Sequence, residues 1–243
     1  MLSFFLKTTL NRILRQPEIS RDFISRIRDP LNHRLQSIAT CRPFAERTSK
    51  MTDVKKLFKF MELVGRLKHV KRTGWILHNV VDPETISGHM YRMAMLSFLI
   101  DNTENLDKVK IMQMTLIHDL AECIVGDITP VCGISPEEKH KLEDEAMQKI
   151  CDLLGDKGPD MLTMFREYEE QQTPEAQYVK DLDRLDLIMQ AFEYEKRDSV
   201  PGKLEEFFVS TNGKIRHPFV SQLADEVNVQ REALGNIPFN NKP

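Results

Sequence analysis

His118, Asp119 and Glu122 lie within one short stretch whose other members are Leu116, Ile117, Leu120, Ala121, Ile124 and Val125. On a helix His118 and Glu122 are one turn apart and share a face, with Asp119 beside them. An imidazole and two carboxylates on an apolar segment are costly unless each finds a partner. Two kinds of partner suit them. One is an ion-pairing side chain at a helix end. The other is a divalent cation, where imidazole and carboxylate together favour manganese, cobalt, iron or zinc over magnesium. Three further stretches carry the same choice. Ser87-Gly88-His89-Met90 puts a histidine in the first turn of an apolar helix, as a core residue or as a ligand. Lys180-Asp181-Leu182-Asp183-Arg184-Leu185-Asp186 sets Asp183 and Asp186 on one helix face, with Lys180 and Arg184 as partners if no cation binds. Arg72-Thr73-Gly74-Trp75 joins a planar cation to the only tryptophan, either a substrate grip or a loop that packs its indole.

Elements must hold these groups, and from Met51 onward the apolar spacing is helical. Leu57, Phe60, Met61, Val64 and Leu67 recur at three and four residues. Gly74 and Pro83 make the next region a loop. Thr85 or Ser87 can cap a helix with Met90, Met93, Ala94, Leu96 and Ile100 inside. Asp107 can cap another, with Val109, Met112, Leu116, Ile117 and Leu120 inside, ended by Gly126 and Pro130. Ser135-Pro136-Glu137-Glu138 is a capping box with proline at the first helical position. Residues 159–170 form a short helix. Thr173-Pro174 opens a long one with Val179, Leu182, Leu185, Asp186, Met189 and Phe192 inward, and residues 217–235 form the last. No run alternates apolar and polar residues between turns, so the expectation is an all-α bundle of about six to eight helices.

Composition sets the outer bounds. The chain has 243 residues, 41% hydrophobic and 29% charged, enough for one good-sized core. No apolar run reaches the ~18 residues of a membrane span, so no membrane partner is expected. Cys41, Cys123, Cys132 and Cys151 are scattered without a CxxC, which argues against a disulfide scaffold or a cysteine zinc site and suits a reducing compartment. A net charge of -3 gives no overall pull toward nucleic acid. The charge is uneven, however. Residues 1–50 carry ten Lys/Arg against four acids, with apolar residues at roughly helical spacing. That basic, amphipathic extension fits a mitochondrial presequence or a solvated tail, so the location is mitochondrial or cytoplasmic accordingly. Met51, where the helical pattern begins, would start a shorter product. The expected organisation is the extension 1–50, a domain at 51–235 and a tail at 236–243.

A histidine, then a His-Asp pair 29 residues on, then an aspartate 64 residues beyond, each on a separate helix, resembles the HD superfamily of metal-dependent phosphohydrolases. The run through Arg72, Gly74-Trp75, His89-Met90-Tyr91-Arg92-Met93-Ala94, His118-Asp119-Leu120-Ala121-Glu122, Gly126-Asp127-Ile128 and Leu182-Asp183 is similar to the HD domain-containing 5'-deoxynucleotidases. The resemblance covers roughly residues 55–225 and leaves the first 50 without a counterpart. It implies a single HD-domain helical bundle and a homodimer. It also implies that His89, His118, Asp119 and Asp183 hold one divalent cation. That ion would be manganese, cobalt or magnesium, with zinc or iron as alternatives. Glu122 and Asp127 would be the catalytic carboxylates, and with the Ile128 carbonyl they would hold any second ion. Arg72 would grip the phosphate through its planar fork, and Trp75 would pack near the sugar and exclude a 2'-hydroxyl. The bacterial members have the tryptophan directly after the arginine, whereas Thr73-Gly74 intervene here.

The implied activity is hydrolysis of deoxyribonucleoside 5'-monophosphates to deoxynucleoside and phosphate. Phosphate monoesters are among the slowest substrates to hydrolyse unaided, needing accelerations up to ~10²¹. An acid–base pair supplies only about 10²–10⁴, so a cation that acidifies water and neutralises phosphoryl oxygens is required. Three alternatives stand beside this. Another HD-type enzyme, a phosphodiesterase or triphosphohydrolase, would need more basic side chains near the ligands than an acidic domain offers. An oxidative di-iron site would need extra histidines, and His69, His78, His140 and His217 lack the spacing. A metal-stabilised nucleotide-binding module without catalysis would not need Glu122 and Asp127. Leu204, Phe207 and Phe208 form a stripe that serves either an interface or the core.

Overall fold

The computed structural model describes residues 53–101 and 104–235. The basic extension, the start at Met51, Cys41 and the tail 236–243 lie outside the described residues. Ten α-helices run through the described residues: α1 Val54–Arg66, α2 Thr73–Leu77, α3 Ile86–Leu96, α4 Lys108–Thr115, α5 Glu122–Val125, α6 Pro136–Asp152, α7 Gly158–Glu170, α8 Pro174–Asp198, α9 Glu205–Thr211 and α10 Pro218–Gly235. Extended pairing among the described residues is limited to an isolated bridge between Lys71 and Thr85, so the fold is all-α. None of the described helices is long and apolar enough to cross a membrane. Cys123, Cys132 and Cys151 are free thiols.

Local chemistry sets the helix starts. The Thr85 hydroxyl accepts from the Gly88 amide, Ser135 from Glu138 and Thr173 from Ala176, each satisfying an otherwise orphaned donor of the first turn. Asp107 accepts from both Val109 and Lys110 at the start of α4. Two short helices fall where no helix is expected. α2 occupies the Arg72–Trp75 loop, and α9 carries the Leu204–Phe208 stripe. That stripe goes to the core, with Leu204 and Phe208 buried and Phe207 packed on Trp75. On α1, Met61 points to solvent and Leu63 takes its place inside, so the stripe is rotated from the expected one.

α8 is the axis. Its 25 residues span about 37 Å and pack against α3, α4, α7, α9 and α10. Val179, Leu182, Leu185 and Ile188 join Trp75, Met93, Ile111 and Met114 in one apolar cluster. A second cluster joins Leu63, Ile86, Met90, Ile117, Leu120, Ala146, Ile150 and Phe165. Two of the places where the chain passes from one cluster to the other carry histidines. On α3, His89 lies between Ile86 and Met93, and after α4, His118 follows Met114 and Ile117. The histidines therefore sit at the polar seam between two apolar masses.

Buried carboxylates elsewhere on α8 are fully engaged. Glu195 accepts from Arg231 and from the Leu204 amide, tying α8 to α9 and α10. Asp181 accepts from Arg184 and from the amides of Arg216 and His217. This uses Arg184 differently from the expected pairing with Asp183 or Asp186. Three residues is a neighbour distance on a helix, whereas one or two residues is not.

Candidate metal centre

His118 and Asp119 lie between helices rather than within one. α4 ends at Thr115, a run of turns covers Leu116 to Ala121, and α5 begins at Glu122. The hydrogen bonds through this run mostly span three residues, as in Leu120 to Ile117, Glu122 to Asp119 and Ile124 to Ala121. Tighter winding changes which side chains face inward, so Leu116, expected inside, is exposed; Val109, also expected inside, is exposed in the first turn of α4. It also frees carbonyls for other work, and the Thr115 carbonyl accepts from His118 Nδ1 at 2.9 Å. The ring is thereby held with Nε2 turned to the seam.

Four side chains from three parts of the fold meet there. His118 Nε2 lies 3.2 Å from Asp119 Oδ2, His89 Nε2 lies 3.7 Å from the same oxygen, and His89 Nε2 lies 3.4 Å from Asp183 Oδ1. Ligand atoms of His89, His118 and Asp119 fall within 4.8 Å of one another. The second oxygen of Asp183 contacts Lys180 Nζ at 2.8 Å and the Tyr168 hydroxyl at 3.4 Å.

Whether these residues fit a cation can be tested on their polar atoms. His89 Nε2, His118 Nε2 and Glu122 Oε2 are buried without a hydrogen-bond partner. An unpaired buried polar atom costs about 1–3 kcal/mol, and three of them gather at this one place. Two nitrogen and two oxygen donors converging with orphaned lone pairs match a first-row divalent cation. The residues fit. His89, His118, Asp119 and Asp183 are the set that would hold it.

The electrostatics agree with an anionic cradle. Burial acts to raise the Asp119 pKa, but His118, His89 and Arg72 outweigh it and hold the carboxylate below its usual range. Burial likewise opposes Asp183, and Lys180 and His89 overcome it. His89 is disfavoured as a cation by burial and Arg72, yet Asp183 and Asp186 carry it up to about 9. Glu122 moves the other way. Burial pushes its pKa well up, and the charges of Asp119 and Asp127 add to that. The two neighbouring carboxyls are thus shifted in opposite directions.

The centre opens into a cleft of about 820 Å³ lined by Arg72, Trp75, Glu122, Asp127, Ile128 and Phe207, among others. Arg72 Nη1 lies 3.3 Å from Asp119 Oδ2, so this guanidinium stands next to the proposed ligands. Thr73, which separates Arg72 from Trp75, has a role that the sequence pattern does not reveal. Its amide donates to Asp127 Oδ2 at 2.6 Å and its hydroxyl to the Asp127 carbonyl at 2.8 Å. Gly126, at φ +77°, makes the turn that brings Asp127 back to α2. One oxygen of Asp127 is thus engaged in seating Arg72. Lys180, Lys139 and Tyr168 also line the cleft. Lys180 is legible as a neighbour of Asp183 three residues away, but no spacing signal marks Tyr168, which reaches the centre through packing against His118 and through its hydroxyl at Asp183 and Lys180.

Trp75 is 1% exposed and so offers little of its surface to a ligand. Its indole nitrogen donates to Glu84 at 2.9 Å, and its ring lies 4.4 Å from Phe207 and 5.3 Å from Tyr194. The cleft wall here is shared with Phe207. Trp75→Ala is expected to cost about 3–5 kcal/mol of stability, read from urea unfolding.

A family model described as HD domain matches residues 64–223. The chain belongs to the HD domain family. The matched residues include all four side chains of the centre and most of both apolar clusters. The chain is 48% identical over 176 residues to 5'-deoxynucleotidase HDDC2 of Danio rerio, covering 72% of this chain and 88% of that one. It is 46% identical to 5'-deoxynucleotidase HDDC2 of Homo sapiens, covering 72% and 86%. Among solved structures, the PH0347 protein from Pyrococcus horikoshii OT3 is 27% identical with a TM-score of 0.58, covering 73% of this chain and 99% of that one.

Proposed function

We propose that this HD-domain protein is a metal-dependent 5'-deoxynucleotidase that converts deoxyribonucleoside 5'-monophosphates to deoxynucleosides and inorganic phosphate. The observation that carries the proposal is the pair of buried imidazole nitrogens without partners, His89 Nε2 and His118 Nε2, facing Asp119 and Asp183 at one cleft. The extensive identity to proteins named 5'-deoxynucleotidase supports the choice of substrate.

A divalent cation held there would supply an acidified water and offset charge on phosphoryl oxygens; manganese or cobalt is proposed for this mixed set of imidazoles and carboxylates. The chain's own residues do the rest. Arg72, beside Asp119, places a planar cation where a phosphate oxygen would lie and gains from charge that grows as the P–O bond breaks. Thr73 and Asp127 keep that arginine in register. The departing 5'-oxygen needs a proton, and Glu122, whose Oε2 is buried and unpaired, is the group able to hold one there. The apolar surface at Phe207, backed by the buried Trp75, takes the sugar side of the cleft. The chain is proposed to work as a homodimer, which size-exclusion chromatography with light scattering would read.

The test is a substrate panel. Phosphate release from dAMP and dCMP by the full chain with manganese or cobalt is expected to exceed that from AMP and CMP by at least about tenfold. A chelator is expected to abolish it. Equal rates on the ribonucleotides would remove the sugar selectivity, and no release from any monophosphate would remove the proposed reaction.

A further inference from the structure

His89 and His118 both aim Nε2 at the proposed cation, but the two rings are anchored differently. The anchor of His118 is local, the Thr115 carbonyl three residues back. His89 takes its anchor from 97 residues away: Nδ1 donates to Asp186 Oδ2 at 2.6 Å, and both side chains are fully buried. The other oxygen of Asp186 accepts from Arg92 Nε. Arg92 stands three residues after His89 on α3 and is itself clamped to α8. Its Nη1 donates to Glu193 Oε2 at 2.8 Å and its Nη2 to Gln190 Oε1 at 2.7 Å. Asp186, Gln190 and Glu193 are successive positions of one α8 face, so a single stripe of that helix grips the ring and the helix that carries it. An imidazole that donates through Nδ1 in its neutral form must present a lone pair at Nε2. That nitrogen is the orphaned atom facing Asp119 and Asp183.

We propose that Asp186, braced by Arg92, is a positioning residue of the metal centre, fixing the tautomer and ring plane of His89 so that Nε2 meets the cation. This rests on the metal centre proposed above. The competing account is a plain ion pair that joins α3 to α8. The two accounts differ in what a substitution does to metal affinity, because an ion pair contributes only to stability. Partners that orient a ligating histidine typically contribute tenfold to a hundredfold in metal affinity.

The experiment titrates manganese alone into the full chain by calorimetry, at a temperature where circular dichroism shows each variant folded. Asp186→Asn conserves volume, but its amide can accept from only one of the two donors and turns an N–H toward the other. It is expected to bind manganese about ten- to a hundredfold more weakly than the wild type. Arg92→Gln keeps the carboxylate but removes its brace, and a smaller loss of affinity is expected. Unchanged affinity in a folded Asp186→Asn chain, with only a lowered melting temperature, overturns the positioning role and leaves the metal centre standing. A wild-type chain that binds no manganese, cobalt or zinc overturns both. If Asp186→Asn does not fold, Arg92→Gln decides, and wild-type affinity there rejects the proposal.

Discussion

Asp119→Ala is expected to lose manganese binding and to lower phosphate release from dAMP by at least about 10³-fold, equivalent to roughly 4 kcal/mol of barrier. Asp119 is the hub of the centre. Its Oδ2 is 3.2 Å from His118 Nε2, 3.7 Å from His89 Nε2 and 3.3 Å from Arg72 Nη1. Removing it takes away one donor of the set, leaves the imidazoles without their anion and detaches the guanidinium that would meet the phosphate. A single missing ligand therefore acts on the cation and the substrate together. The measurements are manganese affinity by calorimetry and phosphate release at saturating manganese. Tight binding and turnover within tenfold of the wild type would show that the centre is organised around other groups.

Glu122→Gln separates catalysis from metal binding. The variant keeps the size and the buried position of the side chain, so manganese affinity is expected to stay within a few-fold of wild type. Turnover is expected to fall by about 10²–10⁴, the usual contribution of a positioned acid or base. A glutamine matches in shape the carboxyl whose pKa burial, Asp119 and Asp127 raise, but has no proton to give to the leaving oxygen. The same substitution has a pH signature in the metal-free chain. A carboxyl raised above its unfolded value contributes stability that is present below the ordinary carboxylate range and is lost as pH rises through the raised value. The wild type should lose stability across that window, and Glu122→Gln should lose less. Full turnover in the variant would assign the proton to another group.

Much of this molecule is legible in short stretches of chain. The starts at Thr85, Ser135 and Thr173 follow from hydroxyls that reach amides three residues on, a contact needing no tertiary partner. Other features were not legible because packing decides them. Met61 and Leu63 exchange inside and outside on α1, since their spacing allows more than one buried stripe. Leu116 turns outward because the chain tightens after Thr115. Thr73, which looks like an insertion, seats Asp127 against α2.

The aspartates of α8 show the division most clearly. The sequence by itself determined that imidazoles and carboxylates with cation-binding chemistry sit on predominantly helical, apolar surroundings, because residue type and three- and four-residue spacing are local properties. Tertiary structure alone decided their separate tasks. Asp181 secures the start of α10, Asp183 faces the centre, and Asp186 stands behind His89. A helix turns about 100° per residue, so Asp181 projects away from the face that Asp183 and Asp186 share. Which direction meets a histidine, an arginine or a backbone amide depends on helices that join α8 only when the two apolar clusters close around it.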